Sequence, residues 1–176
     1  VKLLLDHGVD PNLRSDDKKT ALMYAAKSDD VPTINILLSR GADPNMKDRR
    51  GATALMYAAR LGNSDAVKAL ISKGANVNAE DISEWTALTW AIDKNQLPVA
   101  KLLIENGANI NHKDGGDTPL VLRAVDADSV ALMQLLIDNK VDLQARDQYG
   151  LTAYVYALKK GNAEVAKLIK DAGGKY

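Results

Sequence analysis

The chain lacks several features that whole classes of protein require. It has no cysteine, so it forms no disulfide, has no thiolate ligand for a metal and has no cysteine nucleophile. No apolar run reaches the roughly 18 residues of a membrane-spanning helix, so no membrane partner is expected. Its 23 basic and 23 acidic residues balance, which argues against nucleic-acid binding. The compartment is left open by these absences, with a soluble, cytoplasmic location favoured.

Phenylalanine is also absent, and aromatic residues make up only 5% of the 176 residues. Hydrophobic residues account for 46% and charged residues for 26%, as in an ordinary folded chain. A core without phenylalanine is built from Leu, Ile, Val and Ala. Such small side chains favour thin, closely packed helical layers over one large central core.

A short motif recurs along the chain at nearly constant spacing. Thr-Ala-Leu-Met-Tyr-Ala-Ala occupies residues 20–26 and again residues 53–59. This segment and its variants begin at Thr20, Thr53, Thr86, Thr118 and Thr152. A Gly-Ala-x-x-Asn motif follows each of the first three threonines at the same distance, beginning at Gly41, Gly74 and Gly107. A near-constant period of about 33 residues indicates a repeat architecture.

Each repeat is predicted to contain two short helices and a turn. Thr20 is expected to cap the first helix by accepting a backbone N–H. Asp30 and Ser64 are predicted caps of second helices, and Gly41 ends a second helix because glycine tolerates positive φ. Helices this short cannot bury their apolar faces alone, so neighbouring pairs must stack into an elongated solenoid.

The combined pattern of Thr-x-Leu-x-x-Ala, then Leu-Leu, then Gly-Ala-x-x-Asn, repeated at this period, resembles the ankyrin repeat. The resemblance extends from about Val1 to Gly174 and implies an all-α solenoid of stacked helix-turn-helix units with hairpin-like finger turns. The proline of the family signature is kept only at Pro119. Lys18 and Glu84 stand where the family turn has glycine, which costs about 1 kcal/mol each if the backbone there is left-handed.

The resemblance implies a single ankyrin-repeat domain over residues 1–176. The predicted units are a half repeat (1–15), four full repeats (16–48, 49–81, 82–113 and 114–146) and a C-terminal capping repeat (147–176). The half repeat looks like a second helix without its first, so the natural chain is expected to continue upstream. Lys170, in a column otherwise filled by Leu or Ile, suggests that the C-terminus is a natural end. The fourth repeat is irregular around Thr118, and the structure is expected to continue through it.

No constellation of residues points to catalysis. The only histidines, His7 and His112, lie in predicted turns far apart in the sequence, and we expect both to be solvated. No phosphate-binding loop is present, and the paired carboxylates in the turns do not match a calcium-binding spacing. We therefore predict a protein that is not an enzyme and that has no cofactor and no metal.

The fourth position after each threonine is aromatic in four of the repeats, with Leu122 expected to fill it in the irregular one. The aromatic residues are Tyr24, Tyr57, Trp90 and Tyr156. On a helical wheel this position points away from the buried face and towards a concave groove. Two interpretations stay open for these side chains, namely packing against their neighbours and direct contact with a partner.

The finger turns and the same helical face supply further candidates for partner binding. They are Arg49, Arg50, Arg60, Glu84, Trp85, Gln148 and Tyr149. Trp85 is the most suggestive, because a tryptophan in a turn is costly unless it packs against an adjacent finger or binds. The charge changes from basic to acidic between successive fingers, which could orient a partner.

The leading hypothesis is a monomeric, non-catalytic interaction module or adaptor. It would bind another protein through the concave face and the finger turns. Two alternatives stay open: a regulatory or targeting segment of a larger enzyme, and a solenoid that binds a small molecule on its aromatic column.

Overall fold

Five helix pairs follow one short helix along the chain. The computed structural model describes all residues from 1 to 176 and contains eleven helices and no extended strands. The helices are α1 (Lys2–Asp6), α2 (Ala21–Lys27), α3 (Val31–Ser39), α4 (Ala54–Leu61), α5 (Ser64–Ser72), α6 (Ala87–Asp93), α7 (Leu97–Glu105), α8 (Leu120–Asp126), α9 (Val130–Asp138), α10 (Ala153–Lys160) and α11 (Ala163–Asp171). None of them has the length and apolar character needed to cross a bilayer.

The helix pairs stack in register as two layers. The inner layer contains α2, α4, α6, α8 and α10, each packed against the next, and the outer layer contains α3, α5, α7, α9 and α11 in the same order. Fully buried alanines such as Ala58, Ala91 and Ala124 let the inner helices approach closely. Leucines such as Leu70 and Leu103 are completely buried on the outer helices, and each contributes about 1.5 to 3 kcal/mol by leaving water. The predicted all-α solenoid is confirmed.

The predicted threonine caps are present on four inner helices. The Thr53 hydroxyl accepts the backbone N–H of Met56, and the equivalent threonines cap α2, α6 and α10 in the same way. On the outer helices, Asp30 caps α3 by accepting the Thr33 N–H at 3.0 Å. The prediction for Ser64 was wrong, because α5 begins at Ser64 itself and Asn63 occupies the cap position.

Five turns, here called fingers 1 to 5, lead into the inner helices at residues 15–19, 48–52, 81–85, 114–118 and 147–151. Fingers 2 to 5 each begin with an aspartate, which we call the clamp aspartate. One carboxylate oxygen of Asp48 accepts the backbone N–H groups of Arg50 and Ala52 at 2.8 and 2.9 Å. The same two bonds recur in each of the other three fingers. Finger 1 begins instead with Ser15, whose hydroxyl accepts the N–H of Lys19 at 3.2 Å.

Hydrogen bonds between repeats keep the layers in register. The Asn78 side chain donates to the Gly107 carbonyl at 3.0 Å and accepts the Asn109 N–H at 2.8 Å, a pattern that also occurs at Asn12 and Asn45. At the fingertips, the Ile82 N–H donates to the Arg50 carbonyl at 3.0 Å. Each finger in the first four is therefore tied to its neighbour through the backbone.

The finger backbone enters the left-handed region at one position in every repeat. Gly51 and Gly150 adopt it with φ of +76° and +75°, and Lys18 and Glu84 adopt it with φ of +59° and +58°. The condition stated for the cost at Lys18 and Glu84 is therefore met, because both residues have left-handed backbone. A side chain there is strained by about 1 kcal/mol or more.

Candidate functional site

The second oxygen of three clamp aspartates, in fingers 2, 3 and 4, accepts a hydrogen bond from the inner helix that follows its finger. The Tyr57 hydroxyl donates to Asp48 at 2.7 Å, and the Trp90 indole N–H donates to Asp81 at 3.0 Å. These bonds join fingers 2 and 3 to the helices behind them. Both aromatic side chains are half-buried and are held in one orientation.

The irregular fourth repeat places Arg123, and not Leu122, in this column. Helix α8 begins one residue later than Thr118 predicts, because Pro119 takes the cap position. The prediction for Leu122 was wrong, since that side chain is buried in the core. Arg123 donates from Nε to Asp114 at 3.1 Å and from Nη2 to the same oxygen. The clamp aspartates recur every 33 residues, whereas Thr118 lies one residue early. The aspartate is therefore the better marker of where helix α8 begins.

The two ends of the column differ from its centre. Tyr24 follows a finger without a clamp aspartate, has no hydrogen-bond partner for its hydroxyl and is 53% exposed. Tyr156 donates its hydroxyl to Asp126 of the preceding inner helix at 2.8 Å, and not to its own finger. Lys160 pairs with Asp126 at 2.7 Å and lies over the Tyr156 ring.

Burial and hydrogen bonding perturb the ionisation of these groups. Burial and the bond to Asp48 raise the pKa of Tyr57, and burial and Asp126 raise that of Tyr156. Burial acts to raise the pKa of Asp114, but hydrogen bonds from Arg123 and from the Thr118 and Gly116 N–H groups outweigh it and lower the pKa. At neutral pH the column therefore consists of phenol donors, an indole and one ion pair.

Trp85 packs against Trp90 of its own repeat, with the ring centroids 4.5 Å apart and the rings tilted by 59°. The Arg60 guanidinium lies 4.8 Å from the Trp90 ring centroid, and the Arg123 guanidinium lies 4.9 Å from that of Trp85. The four side chains form a continuous stack, here called the cation–π stack. Trp85 thus packs against Trp90 and Arg123, which lie on inner helices, and not against the adjacent finger. Its contact with a partner stays a prediction.

Two adjoining cavities lie in front of this stack. The first has a volume of about 300 Å³ and lies between fingers 2 and 3 and helices α4 and α6. It is lined by Arg50, Ala52, Met56, Tyr57, Arg60, Asp81, Ile82, Ser83 and Trp90. The second, of about 550 Å³, is lined by Asp17, Lys19, Lys27, Asp48, Arg49, Arg50, Tyr57, Arg60 and Leu61. Arg50, Tyr57 and Arg60 border both cavities, which we call together the groove.

The remaining predicted residues are divided between the groove and the far fingers. Arg49 lies at the tip of finger 2, where it donates to the Asp16 carbonyl at 2.8 Å. Glu84 is exposed in finger 3, outside both cavities. Gln148 and Tyr149 are exposed in finger 5, far along the chain from the groove residues, and Tyr149 is 76% exposed. Ile82, which is 74% exposed at the rim of the first cavity, was not among the predicted residues.

His112 differs from the expectation that both histidines are solvated. Its side chain is only 12% exposed, and its Nε2 lies 2.5 Å from the Glu84 carbonyl oxygen, so this nitrogen carries the proton. The interpretation of His112 as a solvated residue was therefore wrong. It joins the base of finger 4 to finger 3, whereas His7 is exposed. No group of three or more histidine, aspartate or glutamate side chains is arranged to hold a metal ion.

The fold and the fingers define the class of protein as a helical repeat solenoid with a groove along its inner layer. Two family models match the sequence, one described as ankyrin repeats (3 copies) over residues 33–114 and one as ankyrin repeats (many copies) over residues 4–58. The two matches together span more than half of the chain, and the chain belongs to the ankyrin repeat family. A search of curated protein sequences found no match. Ankyrin repeats generally serve protein–protein interaction and are typically non-catalytic.

Proposed function

We propose that this chain is a non-catalytic interaction module that binds another protein through the groove and the surrounding fingers. The observation that carries the proposal is the first cavity. Its apolar floor of Met56 and Trp90 is bordered by Tyr57 and Arg60 and is open to a partner's side chain. Tyr, Trp and Arg are the residue types that dominate binding energy in protein interfaces.

Preorganisation supports the same proposal. Tyr57 and Trp90 are each held by a clamp aspartate, and Arg60 is stacked on Trp90. Side chains that are already ordered lose little conformational entropy when a partner binds, and so more of the contact energy becomes affinity. In this proposal the hydrogen-bonded rings of Tyr57 and Trp90 pack against their neighbours and also contact the partner, so the two interpretations of the aromatic column are compatible.

Arg50 borders both cavities and is therefore central to the proposal. The other predicted residues take a peripheral place, with Arg49 in finger 2 and Glu84 in finger 3 setting the partner's orientation by charge. Tyr24, Tyr156, Gln148 and Tyr149 would contact only a partner long enough to pass along the whole inner layer.

The test uses a random-peptide display library selected on the immobilised chain, followed by calorimetric affinities for the selected peptides. The groove variant Arg60→Ala/Ile82→Ser removes two exposed side chains at the first cavity without emptying the core. The matched control Leu3→Ser/Lys73→Ala makes comparable changes outside the groove, on α1 and after α5. We expect the groove variant to lose at least tenfold in affinity and the control to bind normally. Equal binding by both variants would contradict the proposal.

A further inference from the structure

The second cavity carries an unbalanced concentration of positive charge. The five cations that line it are Lys19, Lys27, Arg49, Arg50 and Arg60. None of them takes part in a salt bridge. Because the chain as a whole has no net charge, this cluster is a local feature of one end of the groove.

The two carboxylates of the cavity offset only part of this charge, because five cations face two anions. Asp48 forms no salt bridge with the cations, because one of its oxygens accepts two finger N–H groups and the other accepts the hydrogen bond of the Tyr57 hydroxyl. Asp17 is the only other acidic side chain in the lining. Like charges gathered in a cleft focus the electrostatic potential and attract a ligand of opposite charge.

Arg60 is the best-placed cation to recognise a carboxylate. Its guanidinium lies over the Trp90 ring and makes no hydrogen bond or salt bridge within the chain. The contact with the Trp90 ring positions the guanidinium and leaves its N–H donors unused. A planar guanidinium with unused donors matches the two oxygens of a carboxylate.

The first cavity adds an apolar subsite directly beside the cations. Met56, Trp90 and Ile82 line it, and Arg50 and Arg60 stand on the boundary with the basic cavity. A ligand that fills both cavities therefore carries negative charges beside one large apolar side chain. Neighbouring helices lie about 8 to 10 Å apart, so three repeats span about 20 Å, or about six residues of extended chain.

We propose that the groove binds an extended acidic peptide segment, with carboxylates on Arg60, Arg50 and Lys27 and one large apolar side chain in the cavity beside Trp90. This proposal rests on the proposed function and adds the chemistry of the partner. A single nucleic-acid strand fits the site less well, because it binds through bases stacked on free aromatic faces. Here Trp90 already stacks with Trp85 and Arg60, which occupy the positions that a base would take.

The experiment compares short synthetic probes on the full chain. The acidic probe has glutamates around one central leucine, and its counterparts have glutamines in place of the glutamates or serine in place of the leucine. An oligothymidylate of equal charge is the fourth probe. The only two tryptophans of the chain, Trp85 and Trp90, both lie in the stack behind the first cavity, so intrinsic fluorescence reports binding at this point.

We expect the acidic probe to bind at least tenfold more tightly than the glutamine probe and to weaken as sodium chloride rises from about 50 to about 500 mM. Lys27→Gln/Arg50→Gln/Arg60→Gln should weaken it by about tenfold, since each exposed charge pair contributes up to about fivefold. The control Lys73→Gln/Lys101→Gln/Lys167→Gln removes three cations outside the groove and should have no effect. The serine probe should bind several-fold more weakly and change the fluorescence less.

Four results would overturn the inference: no binding of the acidic probe, equal affinity for the glutamine probe, equal loss in the two triple variants, or tighter binding of the oligothymidylate. Failure of this inference can be distinguished from failure of the proposed function. If neutral peptides selected by display bind in the groove while the acidic probe does not, the module still binds protein but its partner is not acidic.

Discussion

Replacing each clamp aspartate in turn by asparagine removes one oxygen and leaves the finger otherwise intact. The asparagine carbonyl still accepts the two finger N–H groups, and its amide NH₂ replaces the oxygen that faces the inner helix. The loss of stability depends on which side chain of the inner helix this NH₂ group faces. Tyr57, opposite Asp48, can turn its hydroxyl to accept, whereas the Trp90 indole, opposite Asp81, can only donate.

The expected losses of unfolding free energy follow from these partners. Asp114→Asn leaves a guanidinium facing an NH₂ group and loses a charge-assisted pair, which costs about 2 to 3 kcal/mol. Asp81→Asn leaves the Trp90 indole N–H without an acceptor and costs about 1 to 1.5 kcal/mol. Asp48→Asn should cost about 0.5 kcal/mol or less, because the Tyr57 bond reverses. Asp147→Asn should cost equally little, because the second oxygen of Asp147 has no side-chain partner.

The assay is urea unfolding of the four variants and the parent, followed by far-ultraviolet circular dichroism. With an m value of about 2 kcal/mol/M, the largest loss lowers the urea midpoint by about 1 to 1.5 M. The order Asp114, Asp81, then Asp48 and Asp147 together is the signature of the proposed partners. Equal losses in all four fingers, or a loss at Asp147 as large as that at Asp114, would refute the reasoning.

Three further predictions concern the fingers and the bonds between repeats. Gly51→Ala should cost about 2 kcal/mol or more in urea unfolding, because the new Cβ comes within 2.9 Å of the finger 3 backbone. The new Cβ of Gly150→Ala meets nothing within 4 Å, so this variant should lose only about 1 kcal/mol for its positive φ. Asn78→Ala should cost about 1 to 2 kcal/mol and speed hydrogen exchange at the Asn109 N–H, and unchanged exchange there would contradict the bond. Because the folded-state pKa of Asp114 is lowered, its contribution is full above about pH 5 and is lost as the pH falls below about 4. The stability gap between parent and Asp114→Asn, measured by urea unfolding at several pH values, should therefore close in acid, and a gap that widens in acid would be inconsistent with the lowered pKa.

The fold could be predicted from the sequence because the same local signals recur in every repeat. Thr20 and Thr53 cap helices, the alanines mark the inner layer and the leucines mark the contact with the outer layer. These signals are local, and stacking requires only that each repeat contact its neighbours. The errors arose where one signal stood alone, as at Ser64, where a single hydroxyl was taken for a cap that Asn63 occupies.

The site could be predicted only in outline. The aromatic positions at Tyr57 and Trp90 follow from the helical period, but their hydrogen bonds to the clamp aspartates cross from a finger to a helix and have no periodic signal of their own. Arg123 was not predicted because the repeat was aligned on Thr118. That threonine lies one residue closer to Asp114 than the equivalent threonines lie to the other clamp aspartates. The adjoining cavities depend on the spacing of the fingers, which is a property of the stacked repeats.

The most direct test of the central claim is a nitrogen-15 correlation spectrum of the chain, titrated with a peptide selected on it by display. Only two indole N–H signals are present, from Trp85 and Trp90. Binding in the groove predicts that the Trp90 indole signal moves together with the backbone amides of Arg50, Arg60 and Ile82, while amides of the outer helices stay in place. Saturable shifts confined to the outer layer, with the Trp90 signal unmoved, would contradict it.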